Sequence, residues 1–329
     1  MTISGVARPS AMLVAVAFAA CAGTGQQGAV PSTGTALRSP SREISWMGKG
    51  VKEQDLLYVS NRDGVVNVYR YWQHTLVGVL TKFKSPLGEC SDSAGNVYIA
   101  DGQAQKIYEY AHGGTKAIRT LDDSPYLPEG CAVNPKTGDV AVANYGQGYY
   151  KTGNIAIFRR ASGKPLLYSA ASYDHFVACG YDRRGDLLAS STFGSDPYYS
   201  DFYYLPKEGV KLLPMDLPGP SRSWYWSSGV SVAWDGRYWV VGSYDTLFRY
   251  TINIKAYYVS TITLDASINE AAIYHPVEKS HSEQLVGADE SATKPAVYYW
   301  NYPAGGSHVA EITKGLDRPY GVAVSPGTP

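Results

Sequence analysis

The sequence predicts an all-β protein, and three observations predict it. A hairpin-like unit recurs along the chain, its copies fall at a near-constant spacing, and the two chain ends carry complementary fragments of one unit. The clearest copy is PEGCAVNPKTGDVAVAN, residues 128–144. In it Gly130–Asn134 reads as a strand, Pro135–Gly138 as a tight turn and Asp139–Ala143 as a second strand. Small apolar residues alternating with others, cut by Asn-Pro and Thr-Gly, are a hairpin signal. Related stretches begin at Gly88, Ala178, Gly229, Glu270 and Gly321.

Taken in order, the residues that end the first strand of each copy are Asp92, Asn134, Asp182, Asp235, His275 and Ser325, about 40–53 residues apart. A period near 45 with four short strands per repeat is the signature of a β-propeller. In the second repeat the strands are Glu89–Asp92, Asn96–Ala100, Lys106–Tyr110 and Lys116–Leu121, with His112-Gly113-Gly114 as one of the turns. The same turn recurs at Ala161-Ser162-Gly163, Lys207-Glu208-Gly209 and Ala304-Gly305-Gly306. The first repeat is incomplete. Asp55–Ser60 reads as a second strand with no first strand before it, and Gly321–Ser325 as a first strand with nothing after it. With Val65–Tyr69 and Leu76–Leu80 they make one blade from both termini. The expected fold is therefore a six-bladed propeller of four-stranded blades over residues 51–329, closed by the C-terminal strand joining the first blade, with no sheet edge left open where the ends meet.

Gly88–Asp101, Gly130–Asn144 and Gly321–Ser325 resemble the NHL-type propellers, in which a G-V-A-V-D strand is followed by a turn and a V-Y-V-A-D/N strand. That resemblance implies the fold. It implies little about function, because such propellers serve many purposes.

Residues 1–21 read as a signal peptide. Arg8 gives a weakly positive start, and Ala11–Ala20 is apolar but short of the roughly 20 residues that span a bilayer. Phe18-Ala19-Ala20-Cys21 resembles a bacterial lipobox, with Phe18 where Leu or Val is usual. The resemblance implies a lipid on Cys21 and export to the cell envelope, at the outer membrane or cell surface. Ala22 stands where inner-membrane lipoproteins carry aspartate. The alternative is an ordinary cleaved signal with a chance cysteine. Residues 22–50 read as a flexible linker, rich in Gly, Ser, Thr and Pro over its first part.

The formal net charge is zero, so no footprint for nucleic acid or an anionic membrane is visible, and membrane contact is expected through the lipid alone. There is no HExxH, G-x-S-x-G, P-loop, EF-hand loop or CxxC, so no cofactor or metal is expected. His275 and His281 form a single loose pair, a weak metal signal. Tyr is used 28 times against 7 Phe, which suits half-buried strands and polar rims because an apolar ring carries a hydroxyl that wants a partner.

Three clusters are candidates for chemistry. Cys90, Cys131 and Cys179 stand near the starts of first strands in neighbouring blades, where two of them can bridge or all can be buried thiols. Glu129 and Glu270 occupy matching positions three blades apart, so both carboxylates are expected to look across one channel mouth, with Glu89 nearby. Six-bladed lactonases of the gluconolactonase type hold a metal in that channel with Glu, Asn and Asp, which adds Asn269 to the set that the resemblance implies. Without a metal, the cluster is a hydrated polar channel.

The third cluster is aromatic. Loops entering first strands and loops joining second to third strands share one face of a propeller. In blades 3 to 5 they gather Tyr145, Tyr149, Tyr150, His175 and Phe176, then Tyr198, Tyr199, Trp224, Tyr225 and Trp226. Two long loops, Asn144–Gly153 and Ser191–Asp201, carry many of these, and long loops on a rigid scaffold usually carry function. The bland alternative is that the rings pack on one another. The reading that follows is an exported, lipid-tethered, monomeric propeller that binds an envelope glycan, a peptide, a small molecule or a protein partner at its aromatic face. Its rivals are a channel-metal hydrolase or lyase using Glu89, Glu129, Glu270 and His175, and a purely structural surface protein.

Overall fold

The computed structural model describes residues 44–147, 152–170, 174–193, 196–219, 231–276 and 281–327. Residues 1–43, Cys21 among them, lie outside these. The described chain forms six antiparallel sheets arranged as blades. Blade 1 is closed by both termini: Pro319–Ser325 is innermost and pairs with Leu56–Asn61, with Leu57 opposite Val324 and Tyr58 opposite Ala323. Val65–Arg70 and Thr75–Leu80 follow outward. Blade 2 runs Pro86–Ser91, Val97–Asp101, Lys106–Tyr110 and Ala117–Asp122. Blade 3 runs Pro128–Val133, Val140–Asn144, Asn154–Phe158 and Leu166–Tyr168. Blade 4 runs Asp174–Tyr181, Leu187–Phe193, Asp196–Leu205 and Leu213–Pro214, and blade 6 runs Glu270–Tyr274, Gln284–Asp289, Ala296–Asn301 and Ala310–Ile312.

Blade 5 is built from Ser231–Trp234, Trp239–Ile252 and Ala256–Ile268. The long middle run supplies both the second and the third strand. Tyr244 takes a left-handed conformation (φ 54), and the residues on the blade 4 side switch from Trp239 and Val241 to Phe248, Tyr250 and Ile252, an odd-to-even change that a straight strand cannot make. A side chain on Gly242 would collide with Leu247, which places the two halves side by side.

The core is divided into six parts, one between each pair of blades. Leu56, Tyr58 and Val66 of blade 1 meet Val97, Ile99 and Tyr110 of blade 2, while Leu57, Val59 and Tyr69 meet Val286, Val297 and Tyr299 of blade 6. Successive residues of one strand thus face opposite neighbours, and both faces are buried. That is why the second strands read as unbroken apolar runs rather than as alternating ones.

The residues used to count the repeats are turn caps. Asp182 Oδ1 accepts the N–H groups of Arg184, Gly185 and Asp186 at 2.8–3.0 Å, and Asp92 Oδ1 accepts those of Ala94 and Asn96. Asn134 and Asp235 do the same in blades 3 and 5. A short side-chain acceptor at this point replaces a missing ladder partner and fixes the turn. At the ends of second strands, Asp101 accepts from Lys84 and Ser85 and Asn61 from Asp317, tying each strand to the segment that enters the inner strand.

Two expectations change. Trp46–Met47, in the stretch read as linker, pairs with Val79 and Gly78 and adds a fifth, outermost strand to blade 1. Residues 191–201, read as a long loop, are mostly ladder: Leu187–Phe193 pairs with Asp196–Leu205 out to Phe193 opposite Asp196. The Ser/Thr/Tyr-rich sequence there has strand propensity.

Candidate functional site

The inner strands of all six blades enclose a cavity of about 420 Å³ along the axis. Its mouth lies among the turns that join first to second strands, with Asp92, Ser93, Tyr181, Trp234, His275 and Pro326 around it. Its inner end lies at Glu89, Gly130, Ala178, Glu270 and Val322.

Glycines draw neighbouring blades together at that inner end. A Cβ on Gly88 would sit 2.6 Å from the Glu129 carbonyl oxygen and 2.7 Å from Gly130 Cα, and one on Gly130 would sit 2.7 Å from the Val177 carbonyl oxygen. A Cβ on Gly321 would stand 2.8 Å from Glu270 Oε2 and 3.0 Å from Gly88 Cα. The inner strands of blades 1 to 4 therefore touch backbone to backbone, which only a residue without a side chain permits. This is the physical content of the glycine that opens the repeated motif.

Glu89 and Glu270 sit at this constriction and line the cavity. Glu89 is buried, and Ser60 Oγ donates to its Oε1 at 2.6 Å. Its Oε2, like Oε2 of Glu270, is buried without a hydrogen-bond partner. Burial pushes both carboxyls well above the ordinary range. Ser60 and the Ala323 N–H pull Glu89 back and the Glu270 charge pushes it further up; the Glu89 N–H pulls Glu270 back and the Glu129 charge pushes it up. Glu129 belongs to the other side of the constriction. Tyr320 OH donates to its Oε1 at 2.5 Å, and its charged neighbours are Arg62 and Glu290, which follow second strands. Burial raises its carboxyl as well. The expectation that Glu129 and Glu270 share one mouth is thus corrected: Glu89 and Glu270 line the cavity, whereas Glu129 falls at a register shift in its strand, between Pro128 opposite Asn144 and Gly130 opposite Ala143, and is bonded to Tyr320 instead.

Cys90 and Cys131 are joined by a disulfide with Cα atoms 5.6 Å apart, linking the inner strands of blades 2 and 3. Cys179 is a free thiol, buried in the cavity wall, and burial raises it far above the usual thiol range, so it is a poor nucleophile.

Of the aromatic set, Tyr145 and His175 are stacked with ring centroids 4.2 Å apart, and His175 Nδ1 donates to the Tyr145 carbonyl. His175 is 2% exposed and Phe176 is fully buried, so both are spent on packing between blades 3 and 4. The place of His175 in an open aromatic face is corrected accordingly. Tyr149, Tyr150, Trp224, Tyr225 and Trp226 lie outside the described residues, and Tyr198 and Tyr199 are described only as backbone within Asp196–Leu205. Sequence reasoning missed Tyr181 and Trp234, which flank the cavity mouth. The signal was present: each sits at or beside a turn-cap position, Asp182 and Asp235. Among the described residues no group of three His, Cys, Asp or Glu side chains stands close enough to hold a metal ion, and Asn269 instead donates its backbone N–H to the Ala288 carbonyl.

No family model matches the chain, and no curated protein matches it. Solved structures do. A chain of the nidogen/laminin complex superimposes with a TM-score of 0.62 at 11% identity, over 84% of this chain and 100% of that one. A protein of unknown function from Bacteroides caccae gives 0.59 at 12% identity, over 83% and 99%. The chain is a six-bladed β-propeller. The same comparison returns 1098 matching chains, so this likeness shows the fold and assigns no activity.

Proposed function

We propose that the protein is an exported, lipid-tethered binding propeller whose site is the axial cavity on the face of the first-to-second-strand turns. One observation carries the reading: a cavity of about 420 Å³, walled by all six blades, with the inner strands of blades 1 to 4 drawn into backbone contact at its inner end. Concave, rigid and mostly apolar hollows with a few convergent polar groups are where ligands bind. Trp234 and Tyr181 supply apolar ring surface at the mouth, and the Glu89–Glu270 pair supplies a polar end. A hydrolytic alternative using the channel carboxyls lacks a metal-holding set among the described residues. The aromatic face that the sequence reading assigns to Trp224–Trp226 is the second surface on which the same binding reading places a partner.

The test is a thermal-shift screen of neutral and charged glycans, peptides and small metabolites, repeated with Trp234→Ala and Trp226→Ala. A ligand whose stabilisation disappears with Trp234→Ala alone supports the cavity. Loss with Trp226→Ala alone moves the site to the loop face. A screen in which nothing stabilises the protein contradicts the binding reading.

A further inference from the structure

The turn face of blades 3 to 5 sorts its charges. Asp182, Asp186 and Asp235 are turned inward and used. Asp182 caps its own turn and receives Arg184 Nε at 2.9 Å; Asp186 accepts the Lys207 N–H at 2.7 Å and Arg184 Nη2 at 2.8 Å. Asp235 caps its turn and receives Arg249 Nη2 at 2.7 Å and Tyr302 OH at 2.5 Å. The cations on the turn tips face outward, Arg237 with its guanidinium over the Tyr238 ring. Arg183 and Arg237 are exposed and flank a hollow of about 420 Å³ between blades 4 and 5, against Trp234. A second hollow of about 710 Å³ between blades 3 and 4 is lined by Lys136, Arg159, Arg160 and Tyr181. Its carboxylates are Asp139, which accepts the Arg160 N–H, and Glu208, 3.6 Å from Lys207 Nζ.

These hollows adjoin the axial cavity. Tyr181 is shared by the cavity and the hollow of blades 3 and 4, and Trp234 by the cavity and the hollow of blades 4 and 5. The three make one track across the mouth, cationic at both ends and aromatic at its joints, on a chain whose net charge is zero. We propose that this track binds an anionic glycan of uronic-acid type, with sugar carboxylates on Arg183, Arg237 and Arg159 and pyranose rings against Trp234 and Tyr181. The proposal rests on the reading of the cavity mouth as the binding site and narrows it to a ligand class. Guanidinium forks match carboxylates in two-point geometry, and ring faces bury the apolar faces of sugars. A flat lipid surface does not follow hollows recessed between blades, and an acidic peptide offers the charge without the pyranose faces.

Isothermal titration of the full chain with tetragalacturonate, its neutral methyl ester and a glutamate oligomer tests this, using wild type, Trp234→Ala and the double variant Arg183→Gln/Arg237→Gln. Both arginines are exposed, so the double variant should melt as wild type does. The expected result is uronate binding that weakens at least tenfold in the ester and in the double variant, and several-fold between 50 and 200 mM salt as screening grows. An ester that binds as tightly as the acid, with both lost in Trp234→Ala, overturns the anionic class and leaves the cavity reading standing. Uronate binding untouched by either variant overturns both. A glutamate oligomer that binds more tightly than the uronate, or no uronate binding, overturns the glycan assignment.

Discussion

Gly130→Ala tests the constriction most simply, because two physical effects predict opposite signs. Gly130 is not in the left-handed region, so alanine meets no conformational penalty there. Propensity alone then predicts stabilisation by about 0.4–1 kcal/mol, from a less flexible unfolded chain. The contact predicts the reverse. The new Cβ would stand 2.7 Å from the Val177 carbonyl oxygen, where ordinary contact begins at 3.4 Å, so the inner strands of blades 3 and 4 must part by about 0.7 Å. Gly130 is held in its ladder opposite Ala143, and Val177, at the bulge between Phe176 and Ala178, is fixed by the ladder pairs on either side of it, so relief requires backbone movement. Overpacking of this kind costs about 1–3 kcal/mol. In a domain of this size each kcal/mol lowers the melting temperature by about 2–4 °C. The assay is a thermal melt with a urea titration, alongside Ala271→Gly in the inner strand of blade 6, which is expected to lose only about 0.5–1 kcal/mol. A Gly130→Ala protein that melts at or above wild type would refute the backbone contact between blades.

Three further outcomes are expected. Because Glu89 and Glu270 are held above the ordinary carboxyl range, the folded state keeps protons that the unfolded chain releases; their contribution is full below about pH 4.3 and is lost as pH rises through the folded-state values. Glu89→Gln should therefore make urea stability at pH 8 higher than wild type and flatten its fall from pH 5, and an unchanged pH profile would contradict the buried pair. The Cys90–Cys131 bridge closes a loop with a sequence separation of 41, so Cys131→Ser should cost about 4 kcal/mol, and peptide mapping without reductant should find Cys179 as the free thiol of the three. Cys21→Ser should abolish labelled fatty-acid incorporation, and labelling that survives would place the anchor elsewhere.

Much of the fold was legible because it is carried by local signals. Asp92, Asn134, Asp182 and Asp235 cap turns with their own side chains, so their spacing reports the repeat directly. The strand pattern at Leu56–Asn61 and Pro319–Ser325 announced the closure, since each lacks the partner the other supplies. The site was less legible. Whether a Tyr is rim or core depends on what the neighbouring blade presents: Tyr58, Tyr71 and Tyr299 are fully buried, while Tyr181 stands at the cavity mouth. The pairing of Glu89 with Glu270 rather than Glu129 follows from which residue of each strand meets the constriction, and a one-residue offset between blades reverses it. Trp46–Met47 add an outer strand through two backbone pairings that no apolar run advertises.

The central claim is that ligand is held at the open mouth of the axial cavity. Hydrogen–deuterium exchange with and without the glycan or peptide that stabilises the protein measures this directly. The account predicts new protection in the turns around Asp92–Asn96, Asp182–Asp186 and Asp235–Tyr238, with the opposite face unchanged. Protection confined to residues 220–230, with those turns exchanging as in the free protein, would contradict it.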